Sequence, residues 1–280
     1  MNAVRPAIAL LALSLLATPA LHAQRHRGAM LDTADWLDDC RNGGDSWHGD
    51  RARARSCEVQ RTALPAPTGR VTIDAGRNGG ISVIGGDADS MIVVARVAAT
   101  GYTPDEAAAV ARQIRVEVTP NSVRADGPAT DDRRQWYVSF DVILPRGSDV
   151  AATTRNGGIH LEGLNGKVDA RAENGPVSIF EMAGDVTGRT QNGPVIAELR
   201  GTKWDGAGLD LQTTNGPVTL SIASGYNAHV ETGTVNGPMV IDFPVTVQGR
   251  ITKHLSFDVG KGGASVRAVT TNGPLVVRKL

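Results

Sequence analysis

The sequence predicts a mainly β protein: a flattened β-solenoid of two-strand coils about 18–23 residues long, with one α-helix inserted near residues 103–114. Three observations carry that expectation. The pair Asn-Gly recurs at Asn156, Asn174, Asn192, Asn215, Asn236 and Asn272, at spacings of 18, 18, 23, 21 and 36 residues. Between these words apolar and polar residues alternate in short runs, which is the period of strands. Finally, 41% of the residues are apolar but only 4% aromatic, as suits a thin aliphatic core. Self-similarity at a period of about twenty calls for a stacked array before any other fold.

Residues 1–23, "MNAVRPAIALLALSLLATPALHA", combine Arg5, an apolar run and small residues at Ala20 and Ala23. That pattern predicts a secretory signal peptide cleaved after Ala23, too short and too weakly flanked for a membrane anchor. No cysteine stands just after the run, so a lipoprotein is not expected, and no second apolar stretch of spanning length exists. A periplasmic or secreted protein without a transmembrane segment is therefore expected.

Residues 24–69 are rich in Asp, Arg, Gly and Pro and close on "ALPAPTG", a linker-like punctuation. Cys40 and Cys57 are the two cysteines of the chain. In an oxidising compartment they predict one disulfide, worth on the order of 3 kcal/mol by the chain-entropy model. A redox or metal pair with His48 matches no Cys-x-x-Cys spacing. The basic run "RARAR" at 51–55 is flanked by carboxylates and reads as a solvated loop.

From Arg70 to Leu280 the chain reads as one β-repeat domain. "VTIDAGRNGGISVIGG" and "SMIVVARVAATG" alternate as strands do. "TPDEAAAVARQI" then supplies Thr103 as N-cap, Pro104 at the first helical position and Glu106 as the partner of a capping box, predicting a helix that ends near Ile114. "RVEVTPNSVRADG" and "QWYVSFDVILP" return to strands.

From Val150 each period holds two short strands, such as "VSIF" and "DVTGRT" after Asn174. Alternation turns Ile159 and Leu161 inward and His160 and Glu162 outward. Equivalent strands would stack about 4.8 Å apart in about six or seven coils. The word Asn-Gly-Pro-aliphatic predicts a corner. Asn and Gly tolerate positive φ, Pro suits the first position of a strand, and stacked Asn amides can hydrogen-bond along the axis. The predicted corners are Asn78, Asn156, Asn174 with Gly175, Asn192 with Gly193, Asn215 with Gly216, Asn236 with Gly237 and Asn272 with Gly273. Asn-Gly is also a strong hairpin signal, so an antiparallel meander or sandwich is the alternative fold.

The stretch "VSFDVILPRGSDVAATTRNGGIHLEGLNGKVDARAENGPVSI" resembles the bacterial "putative adhesin" family of β-strand repeats, a domain of unknown function in exported and envelope proteins. Its marks here are Leu144, Pro145 and Gly147 at a strand end, followed by alternating T-x-N-G and G-x-V-x-A words over roughly 70–280. The resemblance implies a β-solenoid, an envelope location, and adhesion or envelope stress as the setting. It brings no catalytic residues.

Chemical motifs are few. "LEGLNGKV" lacks the first Gly and the final Ser or Thr of a phosphate loop, and "GGDADS" offers Asp87 and Asp89 without the other ligands of a calcium loop. Two His-x-Glu pairs, His160 with Glu162 and His229 with Glu231, share strand faces and read as solvated surface. The outward acids Glu162, Asp169, Glu181, Asp185, Glu198 and Asp210 fall in different columns, unlike the paired carboxylates of a glycosidase. A zero net charge gives no footprint for nucleic acid. The expectation is a non-catalytic envelope protein, structural or binding, with no metal, no cofactor and an unknown envelope protein or surface glycan as partner. A polysaccharide-acting enzyme and a regulatory partner of a membrane protein are the alternatives. Candidate faces are the column of Arg171 above Arg189 and the polar set His160, Ser178 and Thr219; Arg278 and Lys279 are expected to charge one end of the array.

Overall fold

The computed structural model describes residues 33–42, 54–87, 89–132, 134–243 and 253–280. The expected signal peptide at 1–23, His48 and most of the "RARAR" run lie outside these residues.

Helix α1 (Ala34–Asn42) carries Cys40, which is fully buried and bonded to Cys57 in strand β1 (Ala54–Pro65), with Cα atoms 6.3 Å apart. The expected disulfide is formed. β1 has no strong apolar alternation. It is a strand because it pairs antiparallel along its length with β4 (Ser90–Gly101), tertiary pairing overriding a weak local signal.

Before β4 come β2 (Val71–Asp74) and β3 (Ile81–Gly86), and after it helix α2 (Pro104–Ala111). Thr103 Oγ1 accepts the Glu106 N–H at 3.2 Å, and Glu106 Oε2 accepts the Tyr102 N–H at 2.9 Å, one residue before the donor that a capping box predicts. The helix stops at Ala111, short of Ile114. Gln113 and Ile114 close a tighter turn onto the carbonyls of Val110 and Ala111. β5 (Arg115–Thr119) and β6 (Ser122–Asp126) form a hairpin, and β7 (Gln135–Pro145) lies between β4 and β3.

From β8 (Val150–Asn156) onward the chain passes between two sheets. β9 (Ile159–Glu162), β11 (Val177–Phe180), β13 (Val195–Leu199), β15 (Val218–Ile222), β17 (Met239–Ile241) and β20 (Leu275–Lys279) belong to the first sheet. β10 (Lys167–Asn174), β12 (Asp185–Asn192), β14 (Gly208–Asn215), β16 (Ala228–Asn236), β18 (His254–Val259) and β19 (Ser265–Asn272) belong to the second. The first sheet runs β1-β4-β7-β3-β9-β11-β13-β15-β20-β17, the second β18-β16-β19-β14-β12-β10-β8-β2-β6-β5. Both are mixed and open. The repeat strands pair in parallel and in register, Val177 opposite Val195 and Val168 opposite Val186. One aliphatic core lies between the sheets. Its far edge is closed by Leu164, Met182, Trp204 and Tyr226 from the connecting turns, all buried.

The opposite edge carries the repeated word. Asn156, Asn174, Asn192 and Asn215 each donate Nδ2–H to the Oδ1 of Asn78, Asn156, Asn174 and Asn192 respectively, at 2.8–3.1 Å. Asn272 continues the file onto Asn215, and Asn236 onto Asn272, both at 2.8 Å. Two residues before each Asn, the hydroxyls of Thr154, Thr190, Thr213, Thr270 and Thr234 donate to the Gly carbonyl of the adjacent layer at 2.6–2.9 Å. Ala172 holds the equivalent position in the layer of Asn174. Val177, Val195, Val218 and Leu275, each after a Pro, donate their N–H to the Pro carbonyl of the next layer, as Val177 does to Pro194 at 3.0 Å.

The reason for glycine differs from the expected one. Among the described residues the non-glycine at positive φ is Glu181, so the asparagines are not left-handed; Gly175 and Gly216 sit at 153° and 159°, the border of extended backbone. Glycine is required by closeness. A Cβ on Gly175, Gly193, Gly216 or Gly273 would lie 2.1 Å from the Gly carbonyl oxygen of the adjacent layer, and on Gly237 2.0 Å.

The order of layers also departs from chain order. β19–β20, the last pair, lies between β14–β15 and β16–β17. Arg278 and Lys279 thus lie on an interior strand rather than at an end, and Arg278 Nε donates to Ser221 Oγ at 3.1 Å. Asn236 and Asn272 carry the same word, so the word by itself does not set which layer lies beside β14–β15.

Candidate functional site

Where the antiparallel strands β4 and β7 meet the parallel repeats, the outer face of the first sheet holds a shallow depression of about 290 Å³. Its polar lining is Arg96 from β4, Ser139 and Asp141 from β7, Ser82 from β3, His160 from β9 and Ser178 from β11. Strand register brings them together: Asp141 lies opposite Ser82, Ser82 opposite His160 and His160 opposite Ser178. Ser139 Oγ accepts the Gly80 N–H at 3.1 Å.

Arg96 Nη2 and Asp141 Oδ2 are 2.9 Å apart, with side chains 21% and 10% exposed. Burial pushes the Asp141 carboxyl up to about 6, and the Arg96 guanidinium opposes that rise without cancelling it. Desolvation outweighs the ion pair, as expected for a pair removed from water with few further partners. The folded value exceeds the unfolded one. Asp141 therefore favours the folded state fully below the ordinary carboxylate range, and this contribution is lost as pH rises through about 6.

His160 Nε2 lies 3.5 Å from Glu162 Oε2, and its ring centroid lies 5.2 Å from that of Phe180. Glu162 is only 3% exposed, so this pair is not the solvated surface the sequence suggests. The polar set is in line, but His160, Ser178 and Thr219 share their row with Ile196, which sequence reasoning passed over.

The second His-x-Glu pair is rearranged. His229 lies 3.9 Å from Glu231 but pairs more closely across the strand gap, Nδ1 with Asp258 Oδ1 at 2.7 Å and Nε2 with Ser256 Oγ at 2.9 Å. The hydrogen-bond order Ser, His, Asp matches that of a nucleophilic triad. Here it sits on an open strand face, with the His229 and Asp258 side chains 37% and 61% exposed. Ser256 and Asp258 join it because β18 runs antiparallel to β16, a pairing no sequence signal announced.

The six outward acids all have basic neighbours. Asp169 is bound by Arg171, Asp210 by both Arg189 and Arg267, Asp185 by Lys167, and Glu198 by Arg200; Glu181 lies 3.7 Å from Arg200, and Glu162 faces His160. Arg171 and Arg189 are adjacent in register, each held by a carboxylate. Among the described residues no group of three His, Cys, Asp or Glu side chains could hold a metal ion. No described helix is long and apolar enough to cross a membrane.

A hollow of about 440 Å³ beside α2 is lined by Tyr102, Glu106, Gln113, Asp131, Asp132 and Arg134, among others. Two of its carboxylates already serve local structure, Glu106 at the Tyr102 N–H and Asp131 at the Arg134 backbone and guanidinium. The depression on the sheet face is the better candidate, because it brings together polar side chains from five strands.

No protein-family model matches the chain, and no curated protein does. Solved structures similar to it include a putative cell adhesion protein from Clostridium sporogenes, at 10% identity and TM-score 0.43, covering 81% of this chain and all of that one. A putative adhesin from Bacteroides fragilis matches at 12% identity and TM-score 0.41, covering 80% of this chain and 97% of that one. A putative lipid binding protein from Parabacteroides distasonis matches at 7% identity and TM-score 0.32, over 80% and 97%.

Proposed function

We propose that the chain is a non-catalytic, exported binding module of the cell envelope, and that the outer face of its first sheet is the surface that makes contact. One observation carries the reading. Ser82, His160, Ser178, Ile196, Thr219 and Val276 form one unbroken row across six adjacent strands, each half-buried and most of them small. At about 4.8 Å per strand the row is roughly 24 Å long. It starts beside the Arg96–Asp141 depression, so a flat surface of short side chains leads from a charged socket. An extended glycan or a flat protein surface fits that shape.

The non-catalytic part rests on the acids. Glycoside hydrolysis needs two carboxylates free to act on one bond. Here the outward acids neutralise neighbouring bases instead.

In this reading the parallel pairs of strands are the coils of a flattened solenoid over residues 70–280, and the Asn-Gly-Pro words are its corners. The in-register Asn file supports both. Helix α1 and strand β1, tied by the disulfide, cover the edge of the first sheet at β4, ahead of the repeat domain, and a signal peptide at 1–23 is removed. The disulfide favours an exported setting. Proteins named as adhesins among the similar structures agree with this reading and lend it no weight.

The test is co-sedimentation of the purified chain with peptidoglycan, outer membrane and intact cells, with released sugar assayed in the supernatant. Saturable pelleting without sugar release is expected, lost in Ser178→Arg/Thr219→Arg and kept in Gln212→Arg on the other sheet. Sugar release would end the non-catalytic reading. Equal pelleting of both variants would remove the row from the site.

A further inference from the structure

The last layer is threaded between two that precede it in the chain. β14–β15 and β16–β17 are joined directly by residues 223–227, yet β19 separates β14 from β16, and β20 separates β15 from β17. Both walls of this slot hold the insert in one register. Val266 lies opposite Leu209 on one side and Val230 on the other, and Asn272 lies between Asn215 and Asn236. Among the described strands, β16 pairs with β18 on its outer side, and β16 and β17 pair with the layers that precede them only through β19 and β20.

The insert hangs from Gly260, Lys261, Gly262, Gly263 and Ala264. Its three glycines have φ of 61°, 74° and 147°. A connection this poor in side chains changes course at little steric cost.

We propose that this C-terminal layer is exchangeable between molecules: Ser265–Leu280 of one chain occupies the slot between β14–β15 and β16–β17 of a second copy. The hydrogen bonds, the Asn file and the buried Val266, Ala268, Leu275 and Val277 are the same whichever chain supplies them. The closed and exchanged forms then differ only in the hinge and in the cost of association, the circumstance in which strand exchange is cheap. The partner is a second copy because the slot reads Thr-x-Asn-Gly-Pro on both walls and the chain's own last layer carries that word. This inference goes beyond the proposed binding role and does not depend on it.

The test uses full-length chains, with Cys40–Cys57 kept oxidised. Thr219 and Val276 are paired neighbours on β15 and β20. One chain carries Thr219→Cys, another Val276→Cys and a third both. The two single variants are unfolded together in denaturant, refolded at high concentration and treated with a short bis-maleimide. The expected result is a cross-linked product of twice the chain mass, requiring both variants and growing with protein concentration. Cross-linking within the double variant, without any product between the single variants, overturns exchange. Absence of the link even in the double variant overturns the threaded order on which the proposal stands.

Discussion

The two long edges of the repeat array solve the same problem in opposite ways. Along one, every layer turns with the same word: seven asparagines in file, threonine hydroxyls on glycine carbonyls, and glycines too close to their neighbours for a Cβ. Along the other, each connection is different. Residues 163–166 and 181–184 are short, 200–207 is long, and the core is plugged by Leu164, Met182, Trp204 and Tyr226 in turn. The first edge fixes register by repetition. The second fills space, tolerates variation, and is tied down by single anchors such as Trp204 Nε1–H donating to the Gly184 carbonyl at 3.0 Å.

The largest effect should come from breaking the repeated edge. Gly193→Ala places a methyl 2.1 Å from the Gly175 carbonyl oxygen, backbone that cannot yield without parting two layers. A loss of about 4 kcal/mol or more is expected, enough to prevent folding. On the varied edge, Gly201→Ala meets nothing within 4 Å and bears only the strain of φ 84°, about 1–2 kcal/mol. Chemical denaturation of the pair compares the edges directly; similar losses would erase the distinction.

Trp204→Ala should cost about 3 kcal/mol, by cavity and lost burial, because each plug serves its own layer. Hydrogen exchange should show the damage confined to the turns around 181–184 and 200–207. Exchange raised evenly along all layers would mean that the plugs, too, act collectively.

A third expectation concerns the junction beside the array. Since Asp141 titrates near 6 in the folded state, stability should fall as pH rises from about 4 to 6, by on the order of 2 kcal/mol. Asp141→Asn should flatten that slope, read as Tm against pH. An unchanged slope would assign it to other groups.

Smaller effects test the word letter by letter. Asn192→Ala takes one member from an exposed file and should cost about 1 kcal/mol. Ala172→Thr completes the threonine column by offering a hydroxyl to the Gly157 carbonyl, and should gain about 0.5 kcal/mol in thermal denaturation. A loss there would show the site too tight for the added hydroxyl.

What the sequence made legible follows the same division. The edge spelled in identical words could be read, down to the Asn file, since each copy confirmed the last. Its steric reason could not, because the 2.1 Å approach between glycines belongs to neighbouring layers and not to any one turn. The threaded order of β19–β20 was hidden by that very repetition: Asn236 and Asn272 ask for the same neighbours. Arg96 and Asp141 meet only through β4–β7 pairing, and a carboxylate on an alternating strand gives no sign of whether its face will be covered, as Glu162 shows. β1 escaped notice because a polar edge strand under a helix needs no apolar alternation.

The most direct measurement is side-chain amide hydrogen exchange by NMR at Asn174, Asn192, Asn215 and Asn272, with Asn165 on the opposite edge for comparison. If the Asn file holds the layers in register, the four file amides exchange far more slowly than Asn165, and Asn192→Ala speeds its neighbours Asn174 and Asn215. Exchange as fast as that of Asn165, indifferent to the substitution, would contradict a register held at this edge.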